Sequence, residues 1–440
     1  MSVHRRGFLN SVTAAAGLAL VACRESESSS RVPAPAAAAS NDPWSAFRQQ
    51  FRLSPEYIHM SALLIASHPA PVREAIERYR DEIDRDPVLT LQQHNRARQQ
   101  QAREAAARYL GVEAEAIALT DSTTMGVGLI YNGLRLREGD EIVTTEQDYY
   151  VTHEALRQAS ARYGVRIRRI ALYDDLSKVS REQLVGTLRD AVGPRTRALA
   201  LTWVHSSTGL KLPLREIGAA IGEVNEGRGE ADRVLVAIDG VHGFGIEDVE
   251  LPPLGIDFFA AGCHKWLFGP RGTGILWGSS RGWEASRPLI PSFMDDGTWN
   301  AWLSGEEPNG PVTASKMTPG GFKPFEHQWA LAAAFEMHQE LGKGDVQKRT
   351  HDLATQLKEG LAAMKHVRLV TPVSPALSSG IVSFDVEGMD PWTAVRRLRE
   401  SHQVIASVTP YAVRHVRLTP SIRNTAQEVD TALAAIRGLA

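Results

Sequence analysis

Asp239 and Lys265 each follow an apolar run, and they lie 26 residues apart. The runs before them, residues 234–238 and 258–261, are β-branched, aromatic or small, and such runs read as buried strands. Ligands of open α/β sheets sit outside the carboxyl ends of the strands, so neighbouring strands of this kind turn an acid and an amine toward one crevice. An amine held there can form a Schiff base. A buried carboxylate beside it can keep a pyridine nitrogen protonated, which makes pyridoxal 5'-phosphate an electron sink. Alone, Asp239 reads as a turn cap and Lys265 as a surface lysine. As a pair they read as a cofactor site, because Gly269-Pro270 and Gly272-Thr273-Gly274 let the backbone reverse tightly after the lysine.

The segments VAIDGVHGFG and DFFAAGCHKWLFGPRGTG resemble class V, fold-type I pyridoxal-phosphate enzymes. Within that class they are similar to the isopenicillin N epimerase-like branch, where a DGxH strand end precedes an HKW-x-x-x-P-x-G-x-G lysine loop. The resemblance implies an α/β fold with a large, mostly parallel seven-stranded sheet domain and a smaller C-terminal α+β domain. It also implies a Schiff base at Lys265, the ring nitrogen at Asp239, and contact of His242 with the ring or its phenolic oxygen. His264 then helps to hold the phosphate, and Cys263 is a small packing residue. The Cys263-His264 pair lacks a second pair of ligands and does not make a metal site.

Other contacts must come from other strand ends. Residues 117–119 read as a strand running into Thr120-Asp121-Ser122-Thr123-Thr124-Met125-Gly126. Free N–H groups and the helix dipole favour an anion at such a turn, although the same residues also make an ordinary N-cap. The family's phosphate turn falls here, which implies Ser122, Thr123 and Thr124. After a strand over 141–145 come Asp148, Tyr149 and Tyr150. In relatives an aromatic ring following an acidic residue stacks on the pyridine, which implies Tyr149, with Tyr150 as the alternative and packing as the ordinary use of both. Strands over 165–170 and 198–204 follow, and the second leads into His205-Ser206-Ser207-Thr208-Gly209. There the resemblance sets Ser206 toward the phenolic oxygen. Val416-Arg417-Leu418-Thr419-Pro420 resembles the carboxylate-binding end, so that Arg417 pairs bidentately with a substrate carboxylate in a geometry lysine cannot reproduce.

Helical periodicity begins at residue 72 and recurs over 92–110, where Gly111 is a suitable C-cap. A tract rich in Gly, Pro, Trp and Ser over 278–315 reads as an active-site lid or a subunit contact. It leads to a helix over 327–341, a region that in the family reaches the partner subunit's phosphate site and so implies a homodimer. Helices over 346–364 and 391–402, with strands over 380–386 and 415–418, read as a small α+β domain. The expected division is a large domain over 71–315 and a small domain from 44–70 and 316–440.

The chain of 440 residues, 43% apolar, can bury a large core. A net charge of −2 without a basic stripe argues against nucleic acid as partner, and two cysteines argue against a disulfide framework. At the N-terminus, Arg5-Arg6-Gly7-Phe8-Leu9 precedes an alanine-rich apolar segment up to Ala22. This is the layout of a twin-arginine signal peptide over 1–22, which would make the Tat translocon a partner during export to the periplasm. Leu20-Val21-Ala22-Cys23 resembles a lipobox, with lipid anchoring at Cys23 as one outcome and simple secretion as the other. Residues 23–43 read as a flexible tether.

Once an incoming amine displaces Lys265, the freed lysine is a general base over Cα. The site of proton return then decides between aminotransfer, epimerisation and loss of a β- or γ-substituent. Desulfuration by a mobile cysteine is not expected, because no cysteine follows Cys263. Exported members that this chain resembles modify the glutamate side of pyoverdine siderophores, which implies an amino acid or peptidyl amine as substrate. An aminotransferase is therefore the expectation, with an epimerase or a lyase as alternatives. A non-catalytic envelope lipoprotein of the same fold is the reading from another class.

Overall fold

The computed structural model describes residues 43–440. Seven strands form the central sheet in the order Ile117–Thr120, Gly274–Gly278, Phe258–Gly262, Leu235–Asp239, Thr196–Thr202, Glu141–Thr145 and Arg166–Ile170. Gly274–Gly278 runs antiparallel to both of its neighbours, and the other pairings are parallel. Alternation along the strands explains why both faces are covered. Leu199, Leu201, Val236, Ile238, Phe259 and Ala261 join one core cluster, and the residues between them, Ala198, Ala200, Leu235, Ala237, Phe258 and Ala260, join another. Helices Ala70–Arg85, Pro87–Leu110, Leu214–Glu226 and Leu331–Leu341 contribute to the first core, while Thr123–Gly133 and Tyr150–Tyr163 contribute to the second. Each fully buried aliphatic or aromatic side chain adds about 1.5–3 kcal/mol to this arrangement.

A second sheet of four antiparallel strands has the order Ser407–Val408, Val416–Leu418, Val382–Val386, Val367–Leu369. It shares a separate core with helices Lys343–Ala362, Pro391–His402 and Ala426–Arg437. The capping box at Thr425 and Glu428 starts the last of these helices. Ile58–His59 pairs with Val404–Ile405, which ties the N-terminal segment to this domain. Buried Glu247 joins the two domains: its carboxylate accepts from Lys211 at 2.7 Å, His351 at 2.8 Å and Ser379 at 2.6 Å.

Two expected helix boundaries move. The helix expected over 92–110 begins at Pro87, which takes the first helical position where its missing N–H is not needed. The helix expected over 327–341 is two helices, Phe325–Trp329 and Leu331–Leu341. Ala330, Leu331, Ala334 and Phe335 belong to the large-domain core. Within the stretch expected for the small domain, Leu331–Leu341 packs on Pro87–Leu110, and the second core draws on Lys343–Ala362. The expected leader over 1–22, Cys23 and the tether up to residue 42 lie outside the described residues.

Candidate active site

A cavity of about 170 Å³ opens at the carboxyl ends of the parallel strands. The ten cavity-forming residues expected from the sequence all line it: Ser122, Thr123, Thr124, Tyr149, Ser206, Asp239, His242, His264, Lys265 and Arg417. Cys23, the remaining expected site, lies outside the described residues.

One wall is the start of helix Thr123–Gly133. Ser122 is its N-cap in extended conformation, and its Oγ accepts from the N–H of Met125 at 3.1 Å. Thr123 Oγ1 accepts from the N–H of Gly262 at 2.8 Å, which fastens the turn to the strand before the lysine. Both hydroxyls keep a proton to donate, and the first N–H groups of the helix have no intrahelical acceptor. Two glycines permit this close packing. A Cβ on Gly126 would lie 2.8 Å from Ala260 Cβ, and one on Gly274 would lie 3.1 Å from the backbone nitrogen of Ser122. Opposite this turn, His264 Nδ1 is buried without a partner. Burial, together with the Lys265 charge, lowers the pKa of His264.

Asp239 and Lys265 form the floor. Asp239 is 5% exposed, and its Oδ1 accepts one bond, from the N–H of Val241 at 3.2 Å. Burial pushes its pKa up to about 6, and Val241 and Lys265 pull the other way. Burial lowers the Lys265 amine to about 8, against the attraction of Asp239 and with some help from Arg417. His242 accepts at Nδ1 from the indole N–H of Trp266 at 3.3 Å. Burial is the main cause holding His242 well below the ordinary histidine range, and Lys265, Arg417 and His264 add to it.

Tyr149 lines the cavity, whereas Tyr150 is 64% exposed. The turn that presents Tyr149 is held by buried Asp148, which accepts from Thr144 Oγ1, from the N–H and Oγ1 of Thr145, and from the N–H of Thr202. Arg417 is 1% exposed on strand Val416–Leu418. Its Nε donates to Ser407 Oγ at 3.1 Å and its Nη1 to the carbonyl of Ser206. Among the described residues no carboxylate reaches it, so the fork is left to a ligand; burial lowers it to about 10. Cys263 is fully buried behind the lysine loop, with its thiol pKa raised by burial.

Tyr411 was not among the residues expected from sequence. Its hydroxyl lies 2.8 Å from Ser206 Oγ, and its ring centroid lies 5.8 Å from that of Tyr149. Thr409-Pro410-Tyr411 is an ordinary turn sequence, and only the packing of the small domain brings Tyr411 to the site. The roles of Asp148 and Trp266 were equally invisible, though the Thr144-Thr145 and Asp148 spacing is a signal for a side-chain-closed turn.

The residues fit pyridoxal phosphate. A helix start with spare donors suits the phosphate, and Asp239 has acceptor capacity left for a ring N–H. Lys265 supplies an amine that is partly neutral near pH 7, and Arg417 has Nη donors left for a carboxylate.

Comparison with known proteins agrees. Residues 66–430 match the family model "Aminotransferase class-V". The isopenicillin N epimerase of Streptomyces clavuligerus is 27% identical over 411 residues, covering 90% of this chain and 98% of that one. That of Amycolatopsis lactamdurans is 28% identical, covering 78% and 84%. A cysteine desulfurase of Klebsiella pneumoniae is 27% identical, covering 68% and 70%. Among solved structures, a C-DES mutant with glycine covalently linked to its PLP cofactor has a TM-score of 0.79 at 23% identity, covering 89% of this chain and 98% of that one. The apo cysteine desulfurase of Thermococcus onnurineus has a TM-score of 0.77 at 21% identity, covering 90% and 97%. Below 25% identity these structures speak for the fold, which is fold-type I. The chain belongs to the aminotransferase class V family of pyridoxal-phosphate-dependent enzymes.

Proposed function

We propose that the protein is an aminotransferase acting at the Cα of an amino acid or peptidyl amine. One observation carries the choice: among the groups lining the cavity, Lys265 is the amine poised to exchange protons near neutral pH. His242 and His264 are held below their ordinary range, Tyr149 above its own, and Asp239 is committed at the floor. The cofactor, when bound, supplies the electron sink. With the cofactor held there, Lys265 would take the proton from Cα and, as a carrier on one face, would hold it for return on that same face. Inversion at Cα needs delivery to the opposite face. Arg417 binds and orients the carboxylate, and the apolar side chains of Leu63, Val151 and Val241 line the cavity and limit the water it holds.

Epimerisation is the second reading, favoured by the two relatives named isopenicillin N epimerase. A lyase reaction is the third, in line with the desulfurase relatives. Cys263, the one free cysteine among the described residues, is buried and does not line the cavity, so a cysteine-borne sulfur route has no carrier there. Incubating amino acids and short peptides with the enzyme in deuterated water separates the readings. Release of a 2-oxo product with its β-substituent intact and without ammonia, the amino group passing to the cofactor or to an added 2-oxo acid, supports aminotransfer. A product that keeps its amino group, with inverted and deuterated Cα, overturns it in favour of epimerisation; release of a β-substituent overturns it in favour of a lyase.

For the carboxylate fork the expected result is specific. Arg417→Lys should raise KM about 10- to 100-fold while kcat changes only a few-fold, because a single ammonium loses the bidentate geometry in ground and transition state alike. A kcat loss at unchanged KM would remove Arg417 from substrate binding.

We further propose export by the twin-arginine route as a folded, cofactor-loaded protein, with lipid anchoring at Cys23. Replacing Arg5 and Arg6 with lysine should confine the protein to the cytoplasmic fraction, and a periplasmic pool that persists would refute this. A homodimer is proposed as well, supported by exposed Phe322, Trp299 and Trp302, which are 85%, 57% and 67% accessible in the single chain. Sedimentation as a monomer at micromolar concentration would exclude it.

A further inference from the structure

His242 and Trp266 meet behind the cofactor site in a hydrogen bond whose direction is fixed by chemistry. An indole N–H can only donate, so the 3.3 Å contact from Trp266 Nε1 requires a lone pair on His242 Nδ1. The single proton of a neutral imidazole then sits on Nε2. This nitrogen has no partner among the described residues, and His242 lines the cavity. The other tautomer, or an imidazolium, would set two N–H groups against each other and leave the indole donor buried and unpaired, which disfavours them roughly 10- to 100-fold. Burial acts against the imidazolium as well, and the charges of Lys265 and Arg417, with His264, add to it.

The indole cannot turn away. Trp266 is 2% exposed and is the residue next to Lys265 in the chain. A Cβ on Gly380 would lie 2.9 Å from Trp266 Cη2, and one on Gly245, which has φ +83°, would lie 2.7 Å from the Trp266 carbonyl carbon. Gly380 leaves room for the ring, and Gly245 for the backbone that carries it.

We propose that Trp266 is a positioning residue that locks His242 as its neutral Nε2–H tautomer, so that the cavity is offered an uncharged hydrogen-bond donor. What that donor meets rests on the pyridoxal-phosphate reading; the lock itself does not. An uncharged donor at this place satisfies a ligand oxygen without competing with Arg417 for the substrate carboxylate and without repelling the Lys265 ammonium.

The test is nitrogen-15 NMR of the full chain as purified and again after removal of any bound cofactor, with His242 assigned by difference against His242→Gln. The expected result is a scalar coupling across the hydrogen bond between Trp266 Nε1 and His242 Nδ1, with the imidazole proton on Nε2, in both preparations. A proton on Nδ1, or an imidazolium at neutral pH, would overturn the lock even if the protein carries its cofactor. Trp266→Phe should abolish the coupling, let His242 populate both tautomers, and weaken pyridoxal-phosphate binding about tenfold. In the His242→Gln background the same change should weaken binding by less than about twofold. Equal losses in both backgrounds would show that the indole only packs. If Trp266→Phe does not fold, the coupling in the unmodified protein decides.

Discussion

Lys265→Ala should lower turnover by about four orders of magnitude, because one side chain is asked both to attach the cofactor and to carry the Cα proton. Borohydride reduction followed by peptide mass spectrometry should tag Lys265 in the unmodified protein and no residue in the variant. Binding should survive better than turnover, since the turn at Ser122–Thr124 and the Arg417 fork are untouched. The lowered amine also sets a pH dependence. Attack requires the neutral form, whose fraction grows as pH rises toward about 8, so covalent capture of added cofactor should accelerate over that range and level off above it. Turnover within about tenfold of the unmodified enzyme would remove Lys265 from the chemistry.

Asp239→Asn should separate function from stability. Turnover should fall about 100- to 1000-fold, because a neutral amide gives a protonated ring nitrogen no counter-charge. The protein without cofactor should become more stable, and the sign follows from the shift. The carboxyl titrates at about 6 in the folded state against 3.8 unfolded, so its ionised form is penalised by folding. That penalty is absent below 3.8, grows through about 6, and reaches about 3 kcal/mol above it. Urea denaturation of the cofactor-free proteins should therefore show a gain for the variant at pH 7 that vanishes near pH 4. A variant with undiminished turnover, or one less stable at pH 7 than at pH 4 relative to its parent, would deny Asp239 the role of a buried counter-charge.

The sequence by itself determined the sheet and most of what hangs on it. Short apolar runs rich in β-branched and aromatic residues, ending in Asp239 and before Lys265, read as buried strands, and a parallel sheet turns such ends to one side. The Ser122–Thr124 turn read as an anion cradle, and resemblance to the family implied Tyr149, Ser206 and Arg417; all of them line one cavity. The structure shows both faces of these strands covered, with alternate residues in two core clusters.

Only the tertiary structure decided between Tyr149 and Tyr150, since adjacent residues at a helix start differ by rotation and not by type. It packed Leu331–Leu341 into the core of the central sheet, because amphipathic periodicity tells which face of this helix is buried but not against which neighbour. It also brought Tyr411 onto Ser206, 205 residues away, and Trp266 onto His242. The first contact is set by how two domains pack around a crevice and the second by how two strand ends of the large domain lie side by side, and no local pattern carries either.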